Sequence, residues 1–98
     1  MNQFISPRQA VIALLKECAE KGLRCPSNPE IGTYVRALGF KFLSECQPSS
    51  LARQGILRTE VYGHNWRVIE IGGKRTKEAP AGQKPYLIID VRGKRKMD

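Results

Sequence analysis

The sequence predicts an α+β domain in which a helical half comes first and a strand-rich half follows. Up to about residue 55, apolar residues recur every three or four positions, as they do along one face of a helix. From Ile56 onward, two runs are rich in β-branched and aromatic residues and are separated by a turn that contains glycine. A chain of 98 residues has the length of one domain with a modest core.

The first predicted helix covers roughly residues 7–21. Ser6-Pro7-Arg8-Gln9 has the pattern of a capping box, with Ser6 at the N-cap and Pro7 at the first helical position. Gly22 can adopt the left-handed conformation that ends a helix. The apolar stripe between these signals consists of Val11, Leu14, Leu15 and Cys18.

Two further helices are predicted after the first. The segment from Ser27 to Glu30 is a second capping box, and the apolar spacing that follows gives a helix of about ten residues that Gly39 ends. Ser44-Glu45-Cys46-Gln47 has the same S-x-x-Q pattern and predicts a third helix after a tight turn. Pro48 lies inside that segment, and a proline in a helix interior costs roughly 3 kcal/mol. The alternative is a short third helix that begins near Gln47 or Pro48.

A β-hairpin and a basic tail are predicted for the rest of the chain. Residues 57–62 and 66–71 read as strands around the turn Gly63-His64-Asn65, and Gly72-Gly73 ends the hairpin. We therefore predict a domain at residues 1–73 and a segment at 74–98 that contains a linker, a candidate extra strand at 86–91 and a basic tail.

The charge of the chain favours a polyanionic partner. There are 17 Lys and Arg residues against 9 Asp and Glu, for a formal net charge of +8. Residues 72–98 hold eight basic and three acidic side chains and thus carry +5 of that charge. Much of the excess therefore lies in the tail, where it adds affinity for a polyanion without sequence preference.

Three helices followed by a hairpin have the plan of a winged helix-turn-helix, whose third helix enters the major groove of DNA. The stretches SPRQAVIALLKECAEKGLRCPSNPEIGTYVRALGF and LARQGILRTEVYGHNWRVIEI resemble the N-terminal winged-helix domain of the LexA repressor family. They also resemble small winged-helix proteins of alphaproteobacteria and their phages. The resemblance covers about residues 6–76. It implies sequence-specific binding to double-stranded DNA by a small bacterial or phage transcriptional regulator.

The candidate DNA contacts form three groups. Helix three would read bases, because Gln bonds the edge of adenine and Arg that of guanine. The wing would contact phosphates or the minor groove, the start of helix one would contact a phosphate, and the tail would track the backbone. For each group the alternative is an ordinary solvated polar surface. The candidates of the three groups are Gln47, Ser49, Ser50, Arg53 and Gln54; Arg58, His64, Asn65, Arg67 and Arg8; and Lys94, Arg95 and Lys96.

Catalysis and bound groups are not expected. The sequence has no G-x-S-x-G, P-loop or HExxH motif, so we predict that the protein is not an enzyme. Cys18, Cys25 and Cys46 lack a CxxC pair, which favours reduced thiols over a disulfide framework or a zinc site that includes His64. We expect no cofactor and no metal. Trp66 is predicted to be a hydrophobic anchor between wing and helices, not a stacking platform.

Partners other than a transcriptional operator remain open. The chain has no apolar run long enough to span a membrane, and MNQFISPRQ lacks the features of a secretory signal, so we expect a cytoplasmic protein. A winged helix can also serve as a protein-interaction module, here through the wing or residues 86–91, or bind a replication origin. We expect a homodimer on DNA, and residues 86–91 are candidates either for pairing between two copies or for packing on their own sheet.

Overall fold

In the computed structural model, residues 4–63 and 66–89 are described, together with the backbone of residues 95 and 96. The helices are α1 (Pro7–Lys21), α2 (Asn28–Ala37) and α3 (Pro48–Arg53), and a 3₁₀ turn at Ser44–Cys46 precedes α3. The strands are β1 (Arg58–Val61), β2 (Arg67–Ile71), β3 (Lys74–Arg75), β4 (Leu87–Ile89) and β5 (Arg95–Lys96). The predicted α+β class is confirmed.

The first two helices begin where their capping signals predicted. In α1 the backbone N–H of Gln9 donates to Ser6 Oγ at 3.2 Å, and Gln9 Oε1 in turn accepts from the backbone N–H of Ile5 at 2.8 Å. In α2 the capping box is complete, because Ser27 and Glu30 each accept a hydrogen bond from the other's backbone N–H. These bonds satisfy N–H groups that the first turn of a helix otherwise leaves without a partner.

The start of the third helix at Ser44 that the S-x-x-Q pattern predicts was wrong, and the alternative of a short helix that begins near Gln47 or Pro48 is confirmed. Ser44 starts a 3₁₀ turn without a side-chain cap, and α3 starts only at Pro48. Gln47 is extended, with φ −69° and ψ 150°, as residues before proline prefer, and Pro48 occupies the first helical position, where its missing N–H costs nothing. The connection from Leu38 to Gln47 is also longer than the predicted tight turn, and its Phe40 and Phe42 pack against the core.

The five strands form one antiparallel sheet in the order β3-β2-β1-β4-β5. The predicted hairpin is confirmed as β1 and β2, in which Thr59 lies opposite Ile69. Strand β4 pairs with the other edge of β1 and places Ile89 opposite Thr59. Of the two alternatives for residues 86–91, the structure has the strand on its own sheet for Leu87–Ile89, while residues 90 and 91 lie outside the described residues.

The prediction of a linker from residue 74 onward was wrong for its first residues. Gly72 and Gly73, with φ of 59° and 78°, reverse the chain so that β3 pairs with β2. Thr76, only 1% exposed, follows β3 and accepts a hydrogen bond from the backbone N–H of Ile69 at 2.8 Å. Two glycines that were interpreted as the end of the hairpin thus form a turn within the sheet.

The core lies between the helices and one face of the sheet. Helix α1 packs on β2 and β3, whereas α3 packs on β1 and β4. Ile89 is 1% exposed, so β4 contributes to the same core as the helices. The largest fully buried apolar side chains are Leu15, Ile31, Leu51, Leu57, Ile69 and Ile89. Within the described residues, no helix combines the length and apolar character needed to cross a bilayer.

Candidate nucleic-acid interface

Helix α3 has one face in the core and one polar face outside it. Pro48, Leu51 and Ala52 are buried, whereas Arg53 is exposed and Ser49 is half-buried. Gln47, at the N-cap, makes no side-chain capping bond. No side-chain hydrogen bond or ion pair joins Gln47, Ser49 or Arg53 to another described residue, so their polar groups are free to bond a partner.

Two other candidates on α3 are engaged within the protein. Ser50 Oγ donates to the backbone carbonyl of Ser44 at 2.9 Å and so fastens α3 to the 3₁₀ turn. Gln54 Nε2 donates to the carbonyl of Glu45 at 3.0 Å, while Gln54 Oε1 accepts from Arg8 Nε at 3.0 Å. Each end of the Gln54 amide makes one internal bond, so its orientation is fixed, although each end keeps one further bonding position.

Arg8 lies beside α3, although it belongs to the first turn of α1. Its Nε bond to Gln54 joins two residues that are 46 positions apart in the chain. The side chain is exposed, and its two terminal nitrogens have no partner among the described residues. The guanidinium is therefore held by one edge, and its other edge is open to a phosphate.

The two arginines predicted for the wing stabilise the fold. Arg58 Nε donates to Glu60 Oε2 at 3.2 Å. Arg67 donates from Nη1 to Asn28 Oδ1 at 3.1 Å and from Nη2 to the carbonyl of Pro26 at 2.7 Å. Arg67 thereby fastens β2 to the start of α2 through two neutral acceptors, whereas Arg58 pairs with a carboxylate.

A cluster of charged groups lies around Glu60, which is 6% exposed. Arg75 bridges Glu60, Glu70 and Glu78, and the Tyr62 hydroxyl donates to Glu60 Oε1 at 2.9 Å. Burial alone would raise the pKa of Glu60, but the hydrogen bonds from Arg75 and Tyr62 and the nearby positive charges hold that pKa below its ordinary value. Burial and the bond to the carboxylate raise the pKa of Tyr62 to about 12.

Trp66 lies at the turn between β1 and β2, directly before β2 begins. Its indole Nε1 donates to the carbonyl of Lys77 at 3.2 Å, and the Arg24 guanidinium lies 4.9 Å from the ring centroid. Arg24 was not among the residues singled out from the sequence, and no local pattern marks it. Lys41, an exposed cation in the connection that leads to α3, was also missed.

Three of the predicted DNA-contacting residues, and the side chains of two more, lie outside the part of the chain that the structure describes. His64, Asn65 and Lys94 fall outside the described residues. For Arg95 and Lys96 the backbone forms β5, opposite Ile89 and Ile88. The end of the predicted tail is thus part of the sheet at these two positions.

The cysteines are free and buried. Burial is the main reason why the pKa of Cys18, of Cys25 and of Cys46 is raised, so the thiols stay protonated near neutral pH and are poor nucleophiles and metal ligands. Among the described residues, no group of three or more His, Cys, Asp or Glu side chains is placed to hold a metal ion.

Comparisons of the chain with protein-family models, curated proteins and solved structures gave no match.

Proposed function

We propose that this protein binds double-stranded DNA in a sequence-specific manner, as a small winged-helix transcriptional regulator of bacterial or phage origin. The observation that carries the proposal is the polar face of α3, where Gln47, Ser49 and Arg53 have no internal partner among the described residues. A helix fits the major groove, in which Arg bonds guanine and Gln bonds adenine with two hydrogen bonds each.

The surroundings of α3 suit a polyanion. Glu45, in the 3₁₀ turn before α3, is an exposed acidic neighbour, but no Asp or Glu occurs between residues 46 and 59, and the chain as a whole carries a net charge of +8. Arg8 lies next to α3 with one edge of its guanidinium free, which is the arrangement needed for a phosphate contact that positions the reading helix. Ser50 and Gln54 have a supporting part in this proposal, because their internal bonds hold α3 and Arg8 in place.

The short reading helix favours two copies on one site. Helix α3 has only 6 residues, and a single short helix offers little contact area for tight specific binding. We infer a two-fold or tandem arrangement with half-sites about one helical turn apart. Strand β4 is already paired with β1, so it gives no support to pairing between copies or to a protein-interaction module that recruits residues 86–91.

In vitro selection of duplexes followed by fluorescence anisotropy tests the proposal. Arg53→Ala should weaken binding to the selected site by about 1 to 3 kcal/mol and relax the preference at one base pair. Lys16→Ala is the matched control, because Lys16 is exposed on α1 and lies over the β2–β3 turn, away from α3.

The outcomes separate the alternatives. If Arg53→Ala weakens preferred and random duplexes equally, Arg53 contacts a phosphate and does not read a base. A full-length protein that binds no duplex at low salt would contradict DNA binding and favour the protein-interaction module. A selected sequence that lies at a replication origin would identify origin binding in place of transcriptional regulation.

A further inference from the structure

A cleft of about 480 Å³ opens between the start of α2 and the β1–β2 hairpin. The aromatic side chains of Tyr62, Trp66 and Tyr86 line it, together with Pro26 and Pro29. Its volume and largely apolar walls are typical of sites that bind small molecules. The cleft lies apart from the polar face of α3.

Arg67 gives the cleft a positive charge, and no carboxylate among the described residues pairs with it. Arg67 is half-buried, its Nε is fully buried without a hydrogen-bond partner among the described residues, and the acceptors of its two terminal nitrogens, Asn28 Oδ1 and the carbonyl of Pro26, are neutral. Among the described residues Arg67 makes no ion pair, whereas Arg58 and Arg75 each contact the Glu60 carboxylate. Hydrogen bonds from a guanidinium to a carboxylate are about twice as strong as those between neutral groups, so the cleft favours an anion.

We propose that this cleft binds a small aromatic carboxylate. The carboxylate would accept hydrogen bonds from the second N–H of Nη1 and of Nη2 of Arg67, which the bonds to Asn28 and Pro26 leave unused. The ring would pack among Tyr62, Trp66 and Tyr86. Arg67 is the only Lys or Arg among the described residues that line the cleft. One guanidinium matches one negative charge, which favours a carboxylate over a doubly charged phosphate.

This site goes beyond DNA binding and does not depend on it. The bonds from Arg67 to Asn28 and Pro26 join β2 to the start of α2, and all three residues line the cleft. A ligand that bonds Arg67 therefore contacts the junction between the hairpin and the helices.

Trp66 is the only tryptophan of the chain and forms part of the cleft, so its fluorescence reports on occupancy. We would titrate the full chain with benzoate, benzamide and acetate at constant ionic strength. Benzoate should give a saturable change in Trp66 emission. Benzamide has the ring without the charge and acetate the charge without the ring, so each should bind at least tenfold more weakly.

Variants then assign the contacts. Arg67→Gln should weaken benzoate binding at least tenfold, and Tyr86→Ala several-fold. Tyr86 is 55% exposed, so its replacement leaves the fold intact even if Arg67→Gln does not fold. Lys16→Gln removes a charge elsewhere and should bind benzoate like the unmodified chain. Circular dichroism verifies folding. An unsaturable benzoate response, equal binding of benzamide or acetate, or unchanged binding by both cleft variants would overturn the proposal.

Discussion

Replacement of Arg75 by alanine tests the role of the charged cluster in stability. Arg75 donates to Glu60 at 3.0 Å, to Glu70 at 3.0 Å and to Glu78 at 2.6 Å. Glu60 is the buried member, and its side chain is only 8% exposed. Arg75→Ala would leave this carboxylate with Arg58 and Tyr62 as its remaining partners.

The expected loss of stability is about 2 to 3 kcal/mol. Removal of one partner from a fully buried ion pair costs about 3 to 5 kcal/mol, because the other charge stays buried without compensation. The Arg75 side chain is 33% exposed and Glu60 keeps two partners, so the cost here lies below that range. The contacts with Glu70 and Glu78 lie nearer the surface and add at most about 1 kcal/mol.

Urea unfolding of the full chain at neutral pH measures this loss, with Lys74→Ala as the matched control. Lys74 is the exposed neighbour of Arg75 on β3 and makes no ion pair with another described residue, so its replacement should change stability by less than about 0.5 kcal/mol. Equal effects of the two substitutions would refute the reasoning.

The pH dependence of the stability of the unmodified chain and of Arg75→Ala tests the same ion cluster a second time. Because the folded protein holds the pKa of Glu60 below its ordinary value of 4.5, the stabilisation is complete above that pH and is lost as the pH falls through the lower folded pKa. The difference between the unmodified chain and Arg75→Ala should therefore shrink in acid. A difference that is the same at pH 7 and in acid would assign it to packing alone.

Three further predictions concern a cap, the added strand and the tail. Ser27→Ala removes the capping box of α2 and should cost about 1 kcal/mol in urea unfolding; an unchanged midpoint would contradict a stabilising cap. Ile89→Ala should cost about 2 to 5 kcal/mol because Ile89 is in the core, whereas Ile88→Ala, at a half-buried position, should cost less; equal losses would argue against β4 as a core strand. The third test concerns the terminal basic residues Lys94, Arg95 and Lys96. If all three touch phosphates, their replacement by Gln should flatten the slope of log affinity against log salt by about two to three units for specific and random duplexes alike. An unchanged slope in fluorescence anisotropy would exclude a DNA-tracking tail.

The helices that the sequence predicted well are those whose signals are local. The capping bonds of α1 and α2 join residues no more than four positions apart, so the pattern contains the whole interaction. In the third helix two local signals conflict. The rigid ring of Pro48 and the extended conformation that it favours at Gln47 prevail over the S-x-x-Q pattern, and the helix starts at the proline.

Strand β3 could not be predicted from its own residues. It consists of Lys74 and Arg75, which have no apolar alternation, and it exists because the glycine turn brings it against β2. The Arg75 contacts with Glu60 and the Thr76 hydroxyl bond to Ile69 then hold it there. Glu60 is 15 positions from Arg75 and Ile69 is 7 positions from Thr76, so a pattern of a few consecutive residues does not contain these contacts.

In the candidate interface, residue type shows which side chains could bond DNA but does not show which of them are already bonded within the protein. Residue type alone makes Gln54 and Arg67 as plausible for DNA contact as Arg53. Their partners, however, are Arg8 and Asn28, which lie 46 and 39 positions away in the chain. Only the folded structure shows which polar groups are already bonded, so Arg53 remains a candidate base contact while Arg67 becomes a support for the fold and for the cleft.

The sheet also separates the charges in a way that favours one face for DNA. Side chains alternate along β1, and Thr59 is buried toward the helices, so Glu60 lies on the opposite face. The carboxylates gathered by Arg75 are therefore on the side of the sheet away from α3. The chain has no carboxylate between residues 46 and 59, but Glu45, exposed in the 3₁₀ turn before α3, is an acidic neighbour that a polyanion approaching α3 would meet. The ion cluster stabilises the sheet and keeps the carboxylates that Arg75 gathers away from the proposed binding surface.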